Sequence, residues 1–249
     1  MKDNKKISGW GRFRRFIFVK LPLGFVSLTV LWVVLLKWCP VLVTPLMIHR
    51  TIEYWDDDTY HIHKKWVPYG KISPEMARAV IASEDNKFDR HHGFDWQAID
   101  MAMQHNKRGR RIRGGSTISQ QTAKNVFLPP SRTYIRKAFE AYFTVLIEFF
   151  WSKQRIMEVY LNVAEMGKGV YGAEAASEQY FGTKAKYLTR RQACLIAACL
   201  PSPIKRSAGN PSGYVSNRAY RISGLEHKLE YPDWIYHKKK ESKSKKHGK

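Results

Sequence analysis

A mainly α-helical domain behind a single N-terminal membrane-spanning helix is the fold this sequence predicts. Three observations carry it. Leu21–Leu36, "LPLGFVSLTVLWVVLL", is sixteen residues without a charge, bounded by Lys20 and Lys37. From residue 71 onward, helix-capping residues recur just ahead of apolar runs. No run of alternating apolar and polar residues reads as a strand, and no internal repeat is present.

The elements follow in chain order. Residues 1–20 carry seven basic side chains and one acid. As a helix, the uncharged stretch spans about 24 Å at roughly 1.5 Å per residue. That is short of a bilayer core of about 30 Å, but flanking lysines snorkel and Phe16–Val19 extend the apolar run. It reads as a membrane anchor over residues 21–43 rather than a soluble core helix. "LLKWCP" offers bulky and charged residues where a small-x-small cleavage site is wanted, so an uncleaved anchor is preferred to a signal peptide. Lys37 and Trp38 ahead of Cys39 do not suit a lipoprotein cysteine either. The basic residues before the anchor predict a cytoplasmic N-terminus, with everything after Lys37 across the membrane.

Residues 44–70 read as a linker with an acidic turn, "YWDDDTY", and the compact domain as residues 71–232. Ser73 is an N-cap, with Pro74 at the first helical position and Glu75 in the first turn. Asp95 caps a second helix through about Asn106, and "NKRGRRIRGG" reads as a mobile loop. A further helix opens near Ser116 and stops before "LPPS". Residues 131–151 form a long helix with an apolar face, and another runs from Ser152 or Lys153 through Asn162. Gly-rich "MGKGVYG" links it to "AEAASEQYFG"; Thr189 caps "RRQACLIAACL", which Pro201 ends. A basic tail over residues 233–249 is Lys/Ser-rich beyond Tyr236 and is expected to be solvated.

The net charge of +22 is concentrated. Residues 1–20 contribute +6, the tail from His237 another +6, and Met101–Phe139 contributes +9 with no acid at all. Within that last block, Lys107–Arg113 has five basic residues in seven positions. Carboxylates flank it: Glu84 and Asp85 before, Glu140 after. Such blocks point to an anionic partner, whether nucleic acid, membrane surface or phosphorylated substrate. The three cysteines form no disulfide framework or zinc spacing. Cys194 and Cys199 lie about 140° apart on a helix and read as buried free thiols. His61/His63 and His91/His92 lack further ligands and read as structural or surface histidines. "SPIK", Ser202–Lys205, matches an acylating S-x-x-K by chance, since no K-T-G or S-x-N element accompanies it. By spacing alone, Glu140, four residues after Arg136 and three after Lys137, reads as a solvated surface pair.

Taken together the segments say more. "SEDNKFDRHHGFDW", "RGGSTISQQTAKNVFL", "RKAFEAYFTVLIE" and "SKQRIMEVYLNVAEMGKGVYGAEAASEQYFG" resemble, in order and spacing, the motifs of the peptidoglycan glycosyltransferases, from about Lys71 to Arg206. "YLNVAEMGKGVYGAEAA" is most similar to the monofunctional, biosynthetic transglycosylases of that family, which it shares with bifunctional penicillin-binding proteins. The resemblance implies a lysozyme-like helical domain with a small membrane-associated lobe, polymerising lipid II into glycan strands with release of polyprenyl diphosphate. Carried over by position, it implies Glu84 as the catalytic base, with Asp85, Phe88, His91 and Gly93 completing its motif. Ser116, Thr117, Gln120, Gln121, Lys124 and Asn125 match the second motif; Arg136, Lys137 and Glu140 match the third. Glu140 is expected to be catalytic, either orienting Arg136 and Lys137 or neutralising them. Ser119 stands where bifunctional relatives have threonine. The resemblance implies no organic cofactor and leaves room for Mg2+ at the diphosphate. The implied partners are lipid II, the lipid-linked growing strand, membrane lipids and proteins of cell-wall synthesis or division, with no nucleic acid. The implied site of action is the extracytoplasmic face of the cell inner membrane.

The chemistry agrees with that reading. A polyprenyl diphosphate leaving group gains negative charge as the anomeric bond breaks, which fixed lysines and arginines stabilise. The incoming sugar hydroxyl needs one base. A lysozyme-like lytic enzyme instead needs a carboxylic acid with a raised pKa and no basic block. A membrane-anchored scaffold for anionic polymers leaves Glu84 and the S-T-I-S-Q-Q run without a purpose.

Overall fold

In a computed structural model, residues 10, 16–107, 109 and 114–236 are described. The basic N-terminal segment, most of the 107–113 loop and the tail beyond Tyr236 lie outside them. The chain divides into two units, one up to Cys39 and one from Pro40 onward. In the first, a π-helical turn, Phe16–Lys20, runs into helix α1, Leu21–Leu35. Together they give twenty residues long and apolar enough to cross a membrane.

The second unit starts earlier than residue 71. Within the segment read as a linker, Thr44 and Pro45 open helix α2, Pro45–Glu53, with the Thr44 hydroxyl accepting from the Met47 amide. Met47, Val67 and Tyr69 are buried, so the stretch is part of the folded unit. Strand β1, His63–Lys64, follows. The half-buried Lys64 ammonium donates to the Val41 carbonyl and, at 2.6 Å, to that of Leu42. That pins the chain leaving residue 40 to the sheet.

Helices α3, Pro74–Glu84, and α4, Trp96–Lys107, begin at the expected caps: Ser73 accepts from Glu75, and Asp95 accepts from Ala98 at 2.9 Å. Helix α5, Ile118–Phe127, opens with a reciprocal capping box between Thr117 and Gln120. Helices α6, Tyr134–Phe150, and α7, Lys153–Val163, start from Thr133 and Ser152. The expected α6 start at residue 131 falls three residues early, because Thr133 takes the cap.

The glycine-rich link is a hairpin. Strands β2, Glu165–Gly167, and β3, Val170–Tyr171, pair antiparallel, and β1 joins β3 in parallel in the order β1-β3-β2. The expectation of no strands is corrected here; two or three residues per strand are too few to show alternation. Gly172, at φ 86°, closes onto Asn162, where a Cβ would lie 2.8 Å from its carbonyl oxygen. Helices α8, Ala173–Phe181, α9, Arg190–Cys199, and α10, Gly213–Glu226, complete the fold, followed by a 3₁₀ turn, Asp233–Tyr236. That turn buries Ile235, so residues 233–236 are packed structure, unlike the solvated tail expected there.

Two helix clusters result. Helix α3 packs on α9 and α10; α5 packs on α6 and α7. Apolar residues drive both. Ala79, Val80, Ile196 and Ala197 are fully buried in the first, as are Ile118, Ile147 and Ile156 in the second, with Phe127 and Phe143 stacked at 4.4 Å. Cys194 and Cys199 are buried thiols, as expected. Helix α6 is two-faced in a further sense, since Ile135, Val145 and Phe149 remain exposed on its outside.

One buried acid in the first cluster carries a pH-dependent cost. Glu226 lies against Cys194 and 3.4 Å from Arg190, which also meets Glu75 and His227. Burial pushes its carboxyl up to about 7, against the Cys194 hydrogen bond, Arg78 and Arg190, with Glu75 adding to the rise. A folded pKa above the unfolded one penalises the ionised form, so this group's contribution to stability is greatest in acid and falls as pH rises from about 4.5 through about 7. The penalty is on the order of 2–3 kcal/mol. Glu226→Gln should therefore flatten the loss of thermal stability between pH 5 and 8 in detergent. An unchanged slope in the variant would remove Glu226 from that dependence.

Candidate active site

Helix α3 delivers Glu84 at its last turn. Its carboxylate accepts from Ser83 Oγ at 3.0 Å and from Gln121 Nε2 at 3.1 Å. Behind it, the buried Tyr160 hydroxyl donates to Gln121 Oε1 at 3.3 Å. The phenol thus takes the amide oxygen and turns the amide NH2 towards the carboxylate. Arg218 of α10 stands 3.8 Å from Glu84 Oε1 and donates to Ser83 Oγ at 3.1 Å. Glu84 opens onto a cavity of about 400 Å3 shared with Asn86, Lys87 and Gly114–Ser116.

Asp85, one residue on, turns inward. Its buried carboxylate accepts from His91 Nε2 and from the Ile118 amide at the start of α5, each at 3.0 Å. The Gly93 amide donates to His91 Nδ1 at 3.1 Å, which leaves the imidazole proton on the nitrogen facing Asp85. The Gly93 carbonyl accepts from Thr117 Oγ1 at 2.7 Å. Gly93 has φ 91°, and a Cβ there would meet Thr144 at 2.7 Å, so this corner requires glycine. Phe88 is fully buried under Lys153, whose ammonium sits 4.6 Å from the ring centre and donates to the His91 carbonyl. Lys153 also pairs with Glu148, which accepts from Ser119.

The cations come from the second cluster. Glu140 is buried, not the solvated pair that spacing suggested. It accepts from Arg136 at 2.7 Å and Lys137 at 2.5 Å. Lys137 Nζ also reaches Ser116 Oγ at 3.5 Å, on the rim of the Glu84 cavity. A neighbouring cavity of about 410 Å3 is lined by Arg50, Lys124, Asn125, Arg132, Arg136 and Glu165. Burial pushes the Lys124 ammonium below its ordinary value, while Glu140 and Glu84 hold it up. Arg50 is fixed by Glu53 at 2.5 Å and Glu165 at 3.2 Å.

The residues singled out by sequence therefore fall into three groups. Glu84 and Gln121 meet directly. Asp85, Phe88, His91, Gly93, Thr117 and Gln120 bind the first motif to the second. Ser116, Lys124, Asn125, Arg136, Lys137 and Glu140 surround the cations. The side chains of the basic 107–113 loop lie outside the described residues. Sequence reasoning missed Arg50, Arg132, Tyr160 and Arg218. Arg132 lay in the acid-free block and Tyr160 in the quoted "YLN"; Arg50 and Arg218 carried no signal of their own.

A helical domain that sets one lightly held carboxylate beside fixed cations is built for transfer away from an anionic leaving group. The comparisons give the class a family. Residues 50–224 match the family model described as Transglycosylase. A biosynthetic peptidoglycan transglycosylase of Bdellovibrio bacteriovorus is 50% identical over 216 residues, 86% of each chain. Its namesake in Caulobacter vibrioides is 51% identical over 211 residues, 85% of this chain and 90% of its own. One from Bacteroides thetaiotaomicron is 50% identical over 206 residues, 82% and 83% of the two chains. The chain belongs to the transglycosylase family. It is a glycosyltransferase with the lysozyme-like, mainly α fold.

The Tyr160–Gln121–Glu84 chain yields a prediction. Tyr160→Phe leaves the Gln121 oxygen unpaired and free to rotate towards the carboxylate. Losing one such bond costs about 1 kcal/mol, or roughly fivefold in rate. Turnover should fall by about that factor in a variant that still unfolds cooperatively. Parental turnover in the folded variant would show that the phenol does not orient Gln121.

Proposed function

We propose that this transglycosylase polymerises lipid II into glycan strands by a single inverting displacement, with Glu84 as general base. The observation that carries the reading is the contrast between Glu84 and three other glutamates of the domain. Glu140, Glu165 and Glu148 each bind a lysine or arginine within 3.2 Å. Glu84 has two neutral hydrogen bonds and a cation only at 3.8 Å, so no lysine or arginine occupies its oxygens at hydrogen-bonding distance.

In the proposed step a sugar hydroxyl of one lipid-linked substrate lies against Glu84. Its oxygen attacks the anomeric carbon of the other, and the proton passes to the carboxylate. The bond from that carbon to the diphosphate oxygen breaks, and the electron pair leaves with the polyprenyl diphosphate. Lys137, Arg136 and Lys124 meet the charge that develops there, more strongly in the transition state than before it. Glu140 holds Arg136 and Lys137 in place and offsets part of their mutual repulsion.

A Mg2+ ion at the diphosphate would add positive charge to the leaving group beside Lys124, Arg136 and Lys137. Glu140 spends its oxygens on Arg136 and Lys137, and the described residues contain no group of three or more metal-ligating side chains. The N-terminal apolar helix supports a single-pass anchor in the cell inner membrane, with the basic N-terminus cytoplasmic and the site on the other side. Exposed Ile48 and Ile52 on α2 and Ile135 and Phe149 on α6 suit contact with lipid, where the substrate's tail resides. The partners in this reading are lipid II, the growing strand and membrane lipids, with no nucleic acid.

The test is incubation of the purified full chain with labelled lipid II and sizing of the product. Polymer that a muramidase digests is expected. Glu84→Gln should lower turnover about 10²–10⁴-fold, the usual worth of a general base, with lipid II binding nearly unchanged. Lys137→Ala should weaken both binding and turnover. A folded Glu84→Gln protein polymerising at the parental rate would refute the mechanism.

A further inference from the structure

The transglycosylase match ends at residue 224, yet the chain beyond it returns to the active site. Residues 229–236 form a strap across the back of the turn 85–93. Trp234 is its anchor. The indole lies edge-on to Phe88 at 6.3 Å and against Tyr69 at 5.8 Å, and its Nε1 donates to Asp89 Oδ1 at 3.1 Å. Ile235 beside it is fully buried, and the Tyr231 ring packs 5.0 Å from the Arg78 guanidinium on α3.

The turn itself is thin. Asn86 and Lys87 line the Glu84 cavity on one side, and on the other a cavity of about 270 Å3 that Glu230, Tyr231 and Pro232 close. The wall of the active site is therefore one chain thick between substrate space and strap. Phe88, in the middle of that wall, takes Lys153 on its face and the edges of His91 and Trp234 on its sides. The contacts from Lys153 and His91 come from within the catalytic unit. Trp234 supplies the remaining side from outside it.

We propose that Trp234 is a positioning residue for glycosyl transfer: it holds the Asp85–Gly93 turn, and through it the end of α3 that carries Glu84. The inference rests on the reading of Glu84 as general base. Arg136, Lys137 and Lys124 stand on α5 and α6, which the strap does not touch in any of these contacts. Loss of Trp234 therefore acts on the chemical step more than on substrate binding. Removing this aromatic contact and its hydrogen bond loosens the hold on the base, and a misplacement of about 1 Å can cost on the order of 10²-fold in rate.

The experiment is steady-state polymerisation of lipid II by the full chain in detergent, alongside thermal unfolding. Trp234→Ala is expected to lower kcat about tenfold per folded molecule, with KM within about twofold. Trp234→Phe, which keeps a ring against Phe88 and loses only the bond to Asp89, is expected to reduce that loss to about threefold. Parental kcat in folded Trp234→Ala would overturn the proposal, as would a loss confined to KM. Should Trp234→Ala not fold, Asp89→Ala at an exposed position gives the same reading: about threefold lower kcat at an unchanged unfolding temperature is expected. Parental kcat there would overturn it. Glu84→Gln in the same assay separates the two claims, because its full activity would refute the general-base reading whatever Trp234 does.

Discussion

The buried carboxylate of Asp85 is the constraint on which the site depends. The backbone leaves the helix at this residue, with φ −161° and ψ 80°. Glu84, still on the last turn of α3, faces the cleft while Asp85 faces the interior. Two adjacent acids take opposite duties. Inside, Asp85 accepts from His91 and from the first amide of α5. An anion at a helix N-terminus is favourable in any case, and burial with satisfied oxygens makes it expensive to remove. By fixing where α5 begins, Asp85 also fixes where Gln121 meets Glu84, one turn along the same helix.

The two helix clusters divide the chemistry between them. The α3 cluster brings the base, and the α5–α6 cluster brings the cations. Their separation matters electrostatically, because a cation in hydrogen-bonding contact with Glu84 would depress its basicity. The structure keeps Arg218 at 3.8 Å from Glu84 while placing Arg136 and Lys137 on Glu140 at 2.7 and 2.5 Å. In the proposed mechanism the diphosphate departs beside this concentrated positive charge, and Glu84 stands clear of it to meet the hydroxyl.

Much of this was legible in the sequence, and the reasons are local. Ser73, Asp95, Ser152 and Thr189 announce helix starts through short-range hydrogen bonds that a reader can place from spacing alone. Their neighbours Glu84, Gln121, Arg136 and Lys137 are then placed by counting. The Thr44–Pro45 start of α2 used the same chemistry but sat among scattered aromatics and acids, which read as a linker. Strands β1 to β3 escaped because their pairing is a tertiary event between residues 63 and 170. The contributions of Arg50, Tyr160 and Arg218 share that origin. Each reaches the site from a distant segment, and nothing local distinguishes Tyr160 from any other core tyrosine. The burial of Glu140 was hidden for the same reason, since an i, i+4 pair looks identical on a surface and under one.

The central claim is a single displacement in which Glu84 takes a proton and never bonds to sugar. The measurement closest to that claim is the anomeric configuration of the newly made linkage, read by NMR on polymer grown from lipid II carbon-13-labelled at the reacting carbon. One displacement inverts that carbon, so the new linkage should have the configuration opposite to the donor's bond to diphosphate. Retention of configuration, or a sugar found covalently attached to the protein, would contradict the account.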